Sequence, residues 1–167
     1  MRAVLFMLLF ASVLILFTGC GGGSKKDVGA TQLLTLINDY RKGQSLPPLI
    51  YDTDLEQMVS QPYAIQLDNE TPEHQYPYNE VGPDGRDLND RLTDAGISVT
   101  ASVEVGRSDP TLTNAQLFFN SLTTAELATI SRTDVDRIGI GHVSPPPNIP
   151  PYNHYWVVDL IKRDTGP

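Results

Sequence analysis

Apolar and polar positions along the chain fall into segments of two periods, preceded by one segment with none. Ala3 to Phe17 is an apolar run of fifteen interrupted only by Ser12. From Thr31, the residues Leu33, Leu34, Ile37 and Tyr40 fall at i, i+1, i+4 and i+7, one stripe of a helix that Thr31 can cap and Gly43 can end. Leu46-Pro47-Pro48-Leu49-Ile50-Tyr51 predicts an extended connector, because Pro and the residues before it disfavour helix. A second helix starts at Asp52 or Thr53 and carries Leu55, Met58 and Val59. Pro62 breaks or kinks it, leaving Tyr63 to Leu67 as a separate turn or a bent continuation. Asn69 to Gly85, with Pro72, Pro77, Pro83, Gly82 and Gly85, predicts a long loop of the kind that often serves function. Asp87 to Ala95 predicts a third helix closed by Gly96. Strict alternation of Ile97, Val99, Ala101, Val103 and Val105 predicts the first strand. Helices over 112–122 and 124–130 follow, then strands from Ile138 and over 154–161. The Pro-rich stretch 144–151 between those strands is a stiff hairpin loop or a ligand for an aromatic-lined groove.

The amino-terminal run changes where the rest is placed. A spanning helix needs roughly 20 apolar residues, so this run is short for a permanent anchor and suits a signal-peptide core behind basic Arg2. Phe17-Thr18-Gly19-Cys20 resembles the lipobox of bacterial lipoproteins. The resemblance implies cleavage before Cys20 and attachment of acyl chains such as palmitate to its thiol, two or more of which hold a protein stably at a membrane. The alternative is an ordinary signal peptide whose cysteine happens to lie near the cut. The chain then divides into a lipoprotein signal peptide (1–19), a lipidated cysteine with a flexible tether (20–30), a folded domain (31–162) and a tail (163–167). The expected location is extracytoplasmic, on an outer membrane or cell surface, since Gly21 rather than Asp follows Cys20.

Composition then removes whole classes of function. The 167 residues, 40% hydrophobic and 19% charged, fit one domain of ordinary size. A net charge of −8 excludes a bulk electrostatic grip on nucleic acid. The single cysteine excludes an internal disulfide framework and a thiolate zinc site. Removing residues 1–19 takes away Arg2 and no acid, leaving 11 cations against 20 anions. The expected partners are the membrane, through the acyl chains on Cys20, and a ligand or protein of the cell envelope.

The order of elements resembles the CAP superfamily (cysteine-rich secretory proteins, antigen 5 and pathogenesis-related 1 proteins), in its short bacterial branch. Leu36-Ile37-Asn38-Asp39-Tyr40-Arg41 with Leu46-Pro47-Pro48-Leu49 is similar to its opening helix and connector. Gly82-Pro83-Asp84-Gly85, Asp90-Arg91-Leu92 and Ala95-Gly96 resemble its next helix. Val103-Glu104-Val105 stands where the family has Glu-Asn-Ile, Phe118-Phe119-Asn120-Ser121 resembles its aromatic-x-x-Ser run, and Ile138-Gly139-Ile140-Gly141 with Tyr155-Trp156-Val157 resembles its closing strands. The fold implied is α+β, a three-layer α-β-α sandwich around a small, mostly antiparallel sheet, which agrees with the few strands and flanking helices read from the pattern.

The resemblance also implies a cleft lined by two histidines and acidic residues, which in some members binds a divalent cation. Carried over, Glu104 takes the acidic position and His74 the first histidine, and these two are the candidate metal ligands for zinc or calcium. The second histidine is absent: its place falls on Thr124 or, aligned backward from Ile138, on Glu126. His74 is equally readable as an exposed loop histidine, and Glu104 as a structural polar group whose burial requires a partner. Tyr76, Tyr78, Tyr152, Tyr155 and Trp156 offer aromatic surface for a sugar or lipid, or core packing. G-x-S-x-G, H-E-x-x-H, P-loop and G-x-G-x-x-G patterns are all absent. Two functions remain: a non-enzymatic binding module with a degenerate cleft, or a metal-assisted or acid/base hydrolase acting on envelope peptide or glycan. The missing histidine favours the first.

Overall fold

The structure is a computed structural model that describes residues 27–70, 78–144 and 153–166. Cys20, His74 and most of the Pro-rich stretch lie outside the described residues, as do the signal peptide and the tether.

Helix α1 (Val28–Gly43) begins three residues before the expected Thr31. Asp27 caps it instead, its carboxylate accepting from the Gly29 N–H. Ala30, Leu33 and Ile37 form its buried stripe. Ile50–Tyr51 of the expected connector forms a two-residue strand, β1, parallel to β3. Asp52 caps α2 (Thr53–Leu55), which passes through a π-helical turn (Glu56–Ser60) into α3 (Gln61–Asn69). Of the two readings of Pro62, the bent continuation is the one observed. Proline has no N–H to return to Met58, and the turn before it widens. Helix α4 (Leu88–Asp94) has a full capping box between Asp87 and Asp90 and ends at Gly96, whose φ of 67° lies in the left-handed region.

Strand β2 (Val99–Asp109) extends past the expected end at Val105 and begins two residues after Ile97. Two short helices follow, α5 (Ala115–Ser121) and α6 (Thr124–Ile130), then β3 (Arg137–Val143) and β4 (His154–Arg163). The sheet order is β1-β3-β4-β2, with β4 antiparallel to both neighbours.

Alternation along β4 sorts the core into layers. Trp156, Val158 and Leu160 pack with Leu33, Ile37, Phe118 and Ile130 on the face covered by α1, α5 and α6. Tyr155, Val157 and Ile161 face the opposite layer, where Leu55, Val59, Tyr63, Leu67, Leu88 and Leu92 cover them from α2, α3 and α4. The result is the α-β-α sandwich expected, around a mostly antiparallel four-stranded sheet. Glycines on β3 set how closely the second layer approaches. A Cβ on Gly141 would lie 2.1 Å from the Ser60 carbonyl oxygen, and one on Gly139 would lie 2.6 Å from Ser60 Oγ.

Candidate functional site

The face of β4 that meets α3 and α4 carries one residue out of pattern. Asp159 interrupts the apolar series Tyr155, Val157, Ile161 and is fully buried. Its partner across the ladder is Glu104 of β2. Residues directly opposite on an antiparallel pair project to the same side, so the two carboxyls meet under the helices. Both are buried, and the negative charge of each opposes ionisation of the other.

The surrounding groups treat the two carboxyls differently. Arg91 of α4 forms an ion pair with Glu104 Oε2, both side chains less than a tenth exposed. Tyr78 donates its hydroxyl to Glu104 Oε1 at 2.7 Å. Both oxygens of Glu104 therefore hold strong donors, and its charge is balanced by the guanidinium. Asp159 receives one donor from side chains, Ser60 Oγ at 2.7 Å. Burial, and then the charge of Glu104, hold the Asp159 carboxyl well above the usual range.

Each member is placed by local structure. Arg91 lies on the capped helix α4, 3.7 Å above the ring of Tyr63, and also donates to the Arg86 carbonyl at 3.0 Å. Ser60 ends the π-helical turn, and the glycines of β3 let that turn approach the sheet. Tyr78 follows the long loop; its backbone N–H donates to Ser108 Oγ at 2.7 Å, and its ring lies flat on Gly106, where a Cβ would come within 2.2 Å. Burial and the Glu104 charge push its hydroxyl far above the ordinary tyrosine range. It is a permanent donor.

The other residues expected at the cleft are dispersed. Glu126 is paired with Arg107 at 2.5 Å and closes the capping box of α6 with Thr123. Arg107 pairs with Trp156 across the ladder, so Glu126 lies on the α1 side of the sheet and Glu104 on the α4 side. Its hydrogen bonds from Thr123 and Arg107 hold the Glu126 carboxyl below the usual range in spite of partial burial. Thr124 is an exposed first residue of α6. The structure does not bring Glu104, Glu126 and Thr124 together, and His74 lies outside the described residues.

Among the described residues this donor set does not fit a divalent cation. Both Glu104 oxygens are occupied, one by a guanidinium, and the described residues contain no group of three metal-ligating side chains. What the arrangement offers is a rigid polar floor between depressions. One of about 210 Å³ opens beside Glu104 between Glu80, Asn89 and Ser102; another of about 350 Å³ lies beyond Arg91, between Met58, Gln66 and Asp94.

Sequence reasoning found Glu104 and missed its buried partner. The available signal was Asp159 itself, a lone acid inside Tyr155–Ile161. Tyr78 and Arg91 were visible only as an aromatic and as part of a helix motif; what joins them to Glu104 is tertiary.

Comparison with known proteins agrees with this architecture. The sequence model of the CAP family, the cysteine-rich secretory protein family, matches residues 34–160. Among solved structures, an outer surface protein from Borrelia burgdorferi is similar at 23% identity and a TM-score of 0.63, over 80% of this chain and 92% of that one. An extracellular protein containing a SCP domain from Bacillus anthracis is similar at 16% identity and a TM-score of 0.59, over 80% of this chain and 40% of that one. A cysteine-rich secretory protein from Staphylococcus aureus is similar at 15% identity and a TM-score of 0.56, over 80% and 38%. The chain thus spans well under half the length of the last two. No curated protein matches it significantly. With the family's sequence model matching most of the chain and the expected sandwich observed, the chain belongs to the CAP family.

Proposed function

We propose that this CAP domain is a binding module of the cell envelope, exported and held at the membrane by acyl chains on Cys20, whose Glu104 cluster shapes a surface for a ligand or partner and does not turn one over. The carrying observation is that, among the described residues, both carboxyls of the cluster are buried. Glu104 is held by Arg91 and Tyr78, and Asp159 is fully buried beneath Ser60. A general acid or base must reach the proton it moves, and neither carboxyl reaches solvent chemistry here.

Location rests on the sequence of the leader and on the names of two similar proteins, one extracellular and one of an outer surface. No helix among the described residues is long and apolar enough to cross a membrane. Residues 21–26 between Cys20 and Asp27 span at most about 25 Å when extended, which would keep the domain close to the bilayer.

The test is incubation of the purified, membrane-extracted protein with envelope peptide and glycan fragments, following both binding and turnover. Saturable binding without products is the expected result, together with release of the protein from membranes in Cys20→Ala. Products that disappear in Glu104→Ala would favour the hydrolase reading instead.

A further inference from the structure

On the opposite face of the sheet from Glu104, where α1 begins, three polar side chains line up. Asp27 caps α1: one carboxylate oxygen accepts from the Gly29 N–H at 3.0 Å, and the other lies 2.7 Å from Nδ1 of His142. A carboxylate at Nδ1 fixes the ring proton there and leaves the Nε2 lone pair available. Ser144 Oγ lies 3.1 Å from that Nε2.

The imidazole is held firmly. It stacks 3.7 Å from the ring centre of buried Trp156, its neighbour across the ladder. The side-chain amide of Gln61 brackets its backbone, accepting from the His142 N–H at 2.9 Å and donating to the carbonyl at 3.1 Å. Gly29 lies so close that a Cβ there would come within 3.3 Å of Nδ1. The titratable groups facing the ring are Asp27 and His154, the latter stacked at 6.2 Å. Burial lowers the His142 pKa against the pull of Asp27, so the ring is neutral at pH 7. Ser144 is exposed. Nucleophile, base and orienting carboxylate thus stand in hydrogen-bond sequence, with the tautomer that proton abstraction requires.

We propose that Ser144, His142 and Asp27 form an acyl-transfer site for carboxylic esters, independent of the binding assigned to the Glu104 face. Ser144 Oγ bonds to the ester carbonyl carbon as its proton passes to His142 Nε2. The carbon–alkoxide bond then breaks, and the alkoxide leaves as an alcohol with that proton. Water then gives a proton to the same nitrogen as its oxygen bonds to the acyl carbon; the bond from that carbon to Oγ breaks, Oγ takes the proton back from Nε2, and the acid is released. Esters are the fitting class because an alkoxide is a better leaving group than an amide nitrogen and departs with the one proton that His142 holds.

The test is reaction of the full-length, membrane-extracted protein with a fluorophosphonate, the adduct located by mass spectrometry, beside hydrolysis of p-nitrophenyl acetate. The expected adduct is on Ser144, forming at least about 100-fold faster than in the urea-unfolded chain. Ser144→Ala should abolish both signals. Asp27→Asn, which preserves the helix cap because asparagine caps as well as aspartate, should slow both at least tenfold. Labelling of Ser144 at the unfolded rate overturns the proposal using wild-type protein alone. Ester hydrolysis at the wild-type rate in Ser144→Ala overturns it as well.

Discussion

Glu104 and Asp159 stand directly opposite each other on β2 and β4, two carboxyls buried against one guanidinium. One positive charge balances one negative charge, so ionisation of the second carboxyl is opposed. That arithmetic sets the direction of several measurable effects.

Asp159 has a raised pKa in the folded state. Its contribution is therefore complete at acid pH and declines as pH rises through and beyond the ordinary carboxyl value near 4, each unit of the rise being worth about 1.4 kcal/mol. Asp159→Asn removes that penalty while keeping a neutral group of the same shape. The variant should gain more in Tm at pH 8 than at pH 4; an equal change at both would mean that the Asp159 pKa is not raised in the folded protein.

Removing the cation has the opposite consequence. Arg91→Met leaves Glu104 buried beside Asp159 with no compensating charge and should cost about 3–5 kcal/mol in urea unfolding. The double variant Arg91→Met with Glu104→Gln should lose clearly less than the sum of its parts.

Gly106 is occupied from above by Tyr78. Gly106→Ala should displace the ring and break its bond to Glu104, lowering the alkaline midpoint of one tyrosine in an absorbance titration. A titration indistinguishable from the parent protein would show that Tyr78 does not seal the cluster.

Asp52 supplies a control of opposite sign. Arg163 holds it with two hydrogen bonds of 2.7 Å, and Leu55 N–H adds a third, keeping its carboxyl below the usual range despite burial. Its stabilisation is present above the ordinary carboxyl pKa and is lost as pH falls toward its own. Asp52→Asn should cost about 1–3 kcal/mol at pH 7 and much less at pH 2.5 in urea unfolding.

Zinc and calcium are expected to give no saturable heat with the membrane-extracted protein, because each Glu104 oxygen already holds a donor. Binding that vanishes in both His74→Ala and Glu104→Ala would instead show that the loop completes a cation site.

Much of the architecture was legible because it is periodic. The stripe of α1, the alternation through Val105 and the stop at Gly96 each report a local rule. The two-residue β1 was not legible: Ile50 and Tyr51 become a strand only because β3 lies beside them. Pro62 signalled a bend but not the π-helical turn that aims Ser60 at the sheet. In the site, Glu104 stood out as an acid in an apolar strand. Its separation from Glu126 follows from which face of β2 each side serves, and its union with Asp159 from a register that links residues 55 positions apart.

The position of β4 bears on how the molecule comes into being. It is one of the two inner strands, yet it is formed by residues 154–163, after every other element of the sheet. A chain emerging amino terminus first has β2 and β3 without a common neighbour until that last stretch arrives. Assembly must then proceed through distant pairings, which favours slow, all-or-none folding. A nascent chain lacking residues 154–163 would hold β2 and β3 with nothing to join them, so the sheet closes only when its final strand is laid in.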